Sequence, residues 1–532
     1  MFAAEHIPYQ QTNAFSRIVR DYLADAPELK PFYSCPPTLE GIEETIRQKQ
    51  RQPVDRETLA QALAEQYRSL ETTPAVHRNL ERLRADNTFT VCTAHQPNLF
   101  TGPLYFIYKI LHTIRLATYL EQSLPQYQFV PVYYMGSEDA DFAELNHTYV
   151  AGKLIEWKKE QGGAVGRMLV DKTLVQLIDE LEGQLASQPH GPEVIGLLRR
   201  CYTPGRTIQE ATFELVNGLY GAYGLVVLIP DNGVLKARMK QVFEDDLFRN
   251  TSSGIVQQTS ERLGAVYNVQ AHPREINLFY LKDNIRERIV RDGDVFRVNN
   301  TDIQFTEGEM RTQLDTCPEC FSPNVILRGL YQETILPNLA FIGGGGEMAY
   351  WLQLKDLFAH YGVVYPVLVL RNSFLVMEKK WEDLVRRMGL SLAEAFLPLD
   401  ELMNLIVTRY SNHSVRLNGK LESADDLFEQ IRSQAGAIDP TLAQHVAAIK
   451  ARSLKNLQEL EKKMLRAEKR KFGDQQRQLQ KIKENLFPNN GLQERVENFS
   501  GFYAQWGSGF IDALYEHSLA LEQQFTVLLE KE

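Results

Sequence analysis

The spacing of hydrophobic positions changes rhythm several times along the chain. Within residues 1–88, "AFSRIVRDYLADA", "LEGIEETIRQKQ" and "RETLAQALAEQYRSL" place apolar residues three and four apart, the helical period. "TFTVC" then alternates like a buried strand, and "TAHQPNLFTGP" interrupts it as a polar loop. "LYFIYKILHTIRLATYLEQ" resumes as a helix, with Leu104, Ile107, Tyr108, Leu111 and Ile114 as its buried face. A second strand, "QFVPVYYM", runs into the acidic loop "GSEDADFAELNH". Residues 168–222 read as mainly helical, and "GLVVLIP" is a continuous apolar run of the kind found in strands covered on both faces. The stretch 251–333 is mixed and turn-rich. "LAFIGGGGEMAYWLQLKDLFAHYG" then gives strand, glycine loop and helix, and "VVYPVLVLRNS" a further strand. Strands alternating with helices predict a parallel α/β sheet.

After about Ala393 the strand signals stop. Val446, Ile449, Ser453, Leu457, Leu460, Met464 and Ala467 step by threes and fours on a highly charged helix, a narrow apolar seam of coiled-coil type. Gly473 interrupts it, and Leu479, Ile482 and Leu486 resume it. "SADDLFEQIRSQ" is the expected hairpin partner. The organisation read from this is an α/β core over 1–392, helical up to 88, a helical coiled-coil domain over 393–487, and a segment over 488–532 that returns to the core.

Composition narrows the function. The formal net charge of -10 argues against general nucleic-acid binding, which needs a basic surface. No apolar run reaches the length of a membrane span, and the N-terminus lacks the pattern of a signal peptide. The cysteines, Cys35, Cys92, Cys201, Cys317 and Cys320, are sparse and odd in number, as expected of free thiols in a reducing cytoplasm.

Several motifs carry possible chemistry. Gly102 and Pro103 read as the tight turn and first residue of the following helix, whose free amides would favour an anion. His95 and Gln96 stand at the end of a strand, where open α/β sheets bind ligands; the alternative is a polar loop that only satisfies its own backbone. Glu138, Asp139, Asp141 and Glu144 could hold magnesium or a substrate amine, or simply be solvated. "GGGGEMA" satisfies G-x-G-x-x-A at Gly344, Gly346 and Ala349, so a dinucleotide site is weighed; Arg371 after the next strand would suit only a phosphorylated ribose, as in an NADP-dependent oxidoreductase. "CPEC" is half a zinc site without a second half, and reads better as a chance thiol pair. Arg274, Asn277, Ser322, Asn324 and Arg328 border apolar segments, and arginine forks suit carboxylates or phosphates as well as surface ion pairs.

Taken together, "TAHQPNLFTGPLYFIYK", "VYYMGSEDADFAELNH", "PREINLFY", "SPNVILRGLYQETILPNLAFIGGGGEMAYWLQL" and "LFPNNGLQERV" resemble successive blocks of the bacillithiol biosynthesis cysteine-adding enzymes, in order over about residues 90 to 500. The resemblance implies a Rossmann-like parallel-sheet core with inserted connecting segments and a coiled coil that forms a homodimer. It implies a ligase that joins L-cysteine to the amine of glucosaminyl-malate, with no nucleic-acid or membrane partner. Activating a free carboxylate most simply takes ATP, with Mg2+ as a companion, in a closed cleft that keeps water out. On this reading His95, Gln96, Asp139 and Asp141 are the candidate catalytic residues. Asn98, Gly102, Gly343, Gly344, Gly346 and Glu347 are candidates for nucleotide or phosphate binding. Asn146, His147, Arg274, Asn277, Asn324, Arg328 and Arg371 are candidates for substrate binding, and no metal-ligand set is assigned. The family loop usually reads Gly-Gly-Pro-Gly-Glu; here Gly345 replaces the proline, which makes the loop less preorganised. A non-catalytic nucleotide- or thiol-binding scaffold, recruiting partners through the coiled coil, is the alternative from a different class.

Overall fold

A computed structural model describes residues 2–411, 416–417 and 419–531. The chain falls into two compact units, one from Met1–Gln10, Ala14–Leu375 and Leu492–Glu532, the other from Gln11–Asn13 and Val376–Gly491.

The first unit is built on a five-stranded sheet. Its strands are β1 (Thr88–His95), β2 (Gln128–Met135), β3 (Val226–Leu228), β4 (Asn338–Gly343) and β5 (Val367–Leu370). All four pairings are parallel, and the order across the sheet is β5-β4-β1-β2-β3. The chain therefore moves outward from β1 on one side, then returns to the other side of β1 with β4. This reversal is the switch point of a doubly wound sheet, and it opens a crevice beyond the carboxyl ends of β1 and β4. The strands are buried almost throughout, which explains their unbroken apolar runs. Phe89, Val91, Phe129, Ile342 and Val369 pack with Leu116 and Leu120 in one core.

The helix α1 (Tyr105–Ser123) follows β1. The predicted face is buried, and so are Phe106, Lys109, Ile110, His112 and Thr113 on its other sides. The helix starts after Pro103 rather than at it. Pro103 instead bridges to Asn498, and the Leu104 amide donates to the Glu497 carbonyl at 2.8 Å. The preceding loop is held in left-handed backbone at Phe100, Thr101 and Gly102. Asn498 Nδ2 donates to the carbonyls of Phe100 and Gly102 and fixes that turn. A Cβ on Gly102 would stand 2.8 Å from the Asn98 Cβ, so glycine is required there on both counts.

Between β3 and β4 the chain inserts an antiparallel sheet whose strands run, across the sheet, Gln304–Thr306, Val295–Val298, Ile285–Asp292, Leu278–Lys282 and Phe321–Pro323. From its last strand it enters α2 (Val325–Ile335), then β4 and α3 (Gly345–Trp351). The chain ends also pair: Phe2–Pro8 lies antiparallel to Gln524–Glu530. A strand at the N-terminus was not expected from the helical reading of that region, because its partner lies at the far end of the sequence.

The second unit is helical. Its hairpin joins α4 (Lys420–Ile438) to α5 (Pro440–Lys469), and α6 (Gly473–Leu486) resumes after a short 3-10 turn. Asp439 caps α5 through the Thr441 amide, and Pro440 occupies the first helical position. Lys450 ties the hairpin to Asp425 at 2.8 Å and Glu429 at 2.6 Å. Val446 of the seam is buried, but Ile449 and Leu460 keep 43% and 47% of their surface exposed. Among the described residues, no helix is long and apolar enough to cross a membrane. Cys317 and Cys320 are joined in a disulfide, which corrects the expectation of free thiols throughout; Cys35, Cys92 and Cys201 are free and buried.

Candidate functional site

A cavity of about 510 Å³ occupies the crevice at the strand-order reversal. Every strand of the parallel sheet delivers residues to it from its carboxyl end: His95 and Gln96 at the end of β1, Gly136 after β2, Pro230 after β3, Gly344–Gly346 after β4 and Arg371 after β5. Helices close the remaining walls with Tyr105 and Lys109 from α1, Arg328 from α2, and Glu347 and Tyr350 from α3.

His95 is the most constrained of these groups. Its ring packs against Tyr105 and Phe106, and its backbone carbonyl accepts from the Tyr133 hydroxyl and the Gly136 amide. Nε2 is buried and has no hydrogen-bond partner among the described residues. Burial, together with the cations Lys109, Arg371 and Arg328, holds the imidazole well below its usual pKa. It is therefore neutral, in a cavity whose near wall carries those cations.

Lys109 is buried because the first half of α1, Phe106 to Ile114, is covered on all sides. Its ammonium donates to the Ala94 carbonyl at 2.9 Å and pairs with Glu347. Glu347 in turn accepts from the Gly344 amide at 2.9 Å, which fixes the glycine loop at the start of α3. Gly346 has open space where a side chain would stand, so a ligand can approach the backbone there. Arg371 is anchored twice. Its amide donates to the Gly343 carbonyl, and its guanidinium forms a buried ion pair with Glu494 at 2.7 Å while lying over the Tyr105 ring. Arg328 donates to the Tyr350 hydroxyl.

The acidic side of the cavity carries Glu138, Asp139 and Glu144. Glu138 pairs with the fully buried Lys236 and accepts from Ser322 at 2.8 Å. Asp139 accepts from Gln96 at 3.1 Å and from the Ala140 amide at 2.8 Å. Burial, then Asp139 and Asp141, push the Glu144 carboxyl up.

Of the residues singled out in the sequence, the cavity brings together His95, Gln96, Asp139, Gly344, Gly346, Glu347, Asn324, Arg328 and Arg371. Asn324 also caps α2. Others stand apart from it. Asn98 and Gly102 shape the turn before α1, and Gly343 lies one residue back in β4. Asp141 caps the short helix Phe142–Leu145, Asn146 donates to the Trp157 carbonyl, and His147 contacts Asn146. Arg274 and Asn277 line a neighbouring recess, with Asn277 fixed by the buried Asp246. The residues that sequence reasoning missed are Tyr105, Lys109, Arg286, Glu494 and Arg495. Only Lys109 left a signal, as a lone charge inside the long apolar helix pattern.

Comparison with known proteins adds an independent observation. The profile described as "Bacillithiol biosynthesis BshC, N-terminal Rossmann-like domain" matches residues 2–372. The one described as "Bacillithiol biosynthesis BshC, C-terminal coiled-coil domain" matches residues 374–530. The chain is 39% identical over 524 residues to a protein of Flavobacterium johnsoniae named "Putative cysteine ligase BshC", covering 98% of this chain and 99% of that one. Proteins of the same name from Flavobacterium psychrophilum and Christiangramia forsetii are each 38% identical, covering 98% of both chains.

Proposed function

The chain belongs to the bacillithiol biosynthesis BshC family, and from that premise we propose that it is a ligase forming a carbon–nitrogen bond, which joins L-cysteine to the amine of glucosaminyl-malate to give bacillithiol. The observation that carries the reading is the convergence of all five strand ends on one cavity that holds a neutral histidine among cations.

The cavity fits a nucleotide. Its cations Lys109, Arg328 and Arg495 suit phosphates, and the open backbone at Gly346 lets them approach closely. ATP would supply the activation of the cysteine carboxyl group. His95, kept neutral, is placed to make a hydrogen bond to a substrate at Nε2, and Gln96 is oriented by Asp139 beside it. Glu138, Asp139 and Glu144 offer carboxylates to the ammonium groups of the substrates. Mg2+ would enter with the nucleotide phosphates, as it commonly does in such sites. The NADP-dependent alternative loses its distinguishing residue, because the Arg371 guanidinium is engaged by Glu494. A thiol substrate and product are best kept in a reducing compartment, which supports the cytoplasm as the site of the reaction. The half-exposed seam of α5 is the proposed surface for a homodimer.

The test is direct. Purified protein is supplied with ATP, Mg2+, cysteine and glucosaminyl-malate, and bacillithiol is sought by mass spectrometry together with AMP and ADP. Nucleotide binding with no thiol product, at any protein concentration, would leave the non-catalytic scaffold as the better reading.

A further inference from the structure

We propose that a second recess, opening off the central cavity, is a dianion site in which Arg274, Arg286 and Arg288 hold the dicarboxylate tail of the acceptor. For the identity of the acceptor this rests on the ligase reading above; for the charge of the ligand it rests on the recess alone.

The recess measures about 360 Å³ and shares Asp139, Arg286 and Asn324 with the central cavity. Its arginines are placed by the fold. Arg286 and Arg288 are two apart in the strand Ile285–Asp292, so the strand's period puts them on one face. The Arg286 guanidinium lies 4.1 Å from the centre of the Phe279 ring, and its Nε donates to Ser322 at 3.0 Å. Arg274 is fixed through its backbone, since its amide donates to Asn277 Oδ1 and its carbonyl accepts from Asn277 Nδ2, both at 3.0 Å. Asn277 is itself buried and held by Asp246.

None of these guanidiniums forms an ion pair among the described residues. Of the neighbouring carboxylates, Glu275 is turned towards Asn250 and Glu287 towards Asn300, while Asp139 and Glu138 favour the charge on Arg286 without forming an ion pair with it. Unpaired guanidinium forks converging on one recess call for an anion with more than one carboxylate or phosphate oxygen pair. Asp139 stands at the junction of the recess and the cavity, opposite in sign. A ligand with a dianionic tail and an amine would therefore lie with the tail among the arginines and the amine towards the central cavity. Arg328, on the wall of the central cavity, is left for the nucleotide.

Two measurements on the full-length chain test this. The first titrates the protein with L-malate and with inorganic phosphate by calorimetry, for the wild type and for the double variant Arg274→Gln, Arg288→Gln, whose sites are exposed. Malate should bind the wild type and bind the variant about ten-fold or more weakly. No malate binding to the wild type, equal binding to both proteins, or tighter binding of phosphate than of malate would overturn the proposal. The second compares kcat/KM for glucosaminyl-malate with that for glucosamine as acceptor. The ratio should fall about ten-fold or more in the double variant, with the KM for ATP within about two-fold. An unchanged ratio would overturn the proposal. If the wild type ligates neither amine, the ligase reading fails, and the malate titration still decides the recess.

Discussion

The buried pair of Arg371 and Glu494 allows a prediction with a worked magnitude. Arg371 keeps 5% of its side chain exposed and Glu494 none. The carboxylate accepts from Arg371 Nη2 at 2.7 Å, Ser373 Oγ at 3.2 Å and the Phe374 amide at 3.3 Å. Burial works against the guanidinium, but Glu494 offsets it and holds Arg371 above its ordinary pKa. Glu494→Gln keeps the shape and an acceptor oxygen but removes the charge, leaving a buried cation. Such a loss costs about 3–5 kcal/mol. The lower end is expected here, since Arg371 Nη1 still reaches the Asn372 carbonyl at 3.0 Å and Ser373 Oγ at 3.2 Å. Replacing both partners, Arg371→Met with Glu494→Leu, should recover most of that stability, because an apolar pair carries no stranded charge. Hydrogen exchange of the buried β1 amides reads the stability of this unit without requiring the whole chain to unfold as one. A cost below about 1 kcal/mol for Glu494→Gln, or single and double variants that simply add, would refute the reasoning.

Four further predictions follow from named groups. His95→Ala should abolish thiol synthesis while circular dichroism and melting stay close to the wild type; normal synthesis by the folded variant would remove His95 from the chemistry. Burial lowers the His112 pKa to about 4, against a hydrogen bond from Nε2 to the Ala520 carbonyl that works the other way. The unfolded chain thus binds a proton below about pH 6.5 that the native chain refuses until about 4, so stability is fully present above pH 6.5 and falls by about 3 kcal/mol on acidification to pH 4. His112→Gln should flatten that part of a urea-midpoint profile. Gly345→Pro should stabilise by about 0.4–1 kcal/mol, since Gly345 is the first residue of α3 and Gly344 is already extended, provided the Val19 methyl 3.1 Å from the new Cβ gives way; a lower melting temperature would show that it does not. Replacing Leu457 and Leu460 with Glu should reduce the mass seen by light scattering to that of a monomer, and a native protein already monomeric would assign the seam another purpose.

What the sequence discloses depends on whether a feature is written locally. The turn from β1 to α1 and the glycine loop after β4 were legible because strand period, helix period and turn residues all agree within a short window. Pro103 misled by one rule winning over another: the favoured first-turn position lost to an anchor, Asn498, that lies almost four hundred residues on. His112 was hidden because a polar residue in an amphipathic pattern reads as the solvent face, whereas the first half of this helix, Phe106 to Ile114, is buried all round. The pairing of Phe2–Pro8 with Gln524–Glu530 has no local signature at all. The G-x-G-x-x-A pattern shows how the levels combine. Alone it proposes a dinucleotide site; the topology puts it at the reversal between β1 and β4, and Glu494 then takes the arginine that a ribose phosphate would need. The position of the motif in the strand order, more than its spelling, makes it part of a binding site, and the residues that decide what binds come from segments that no window around the motif contains.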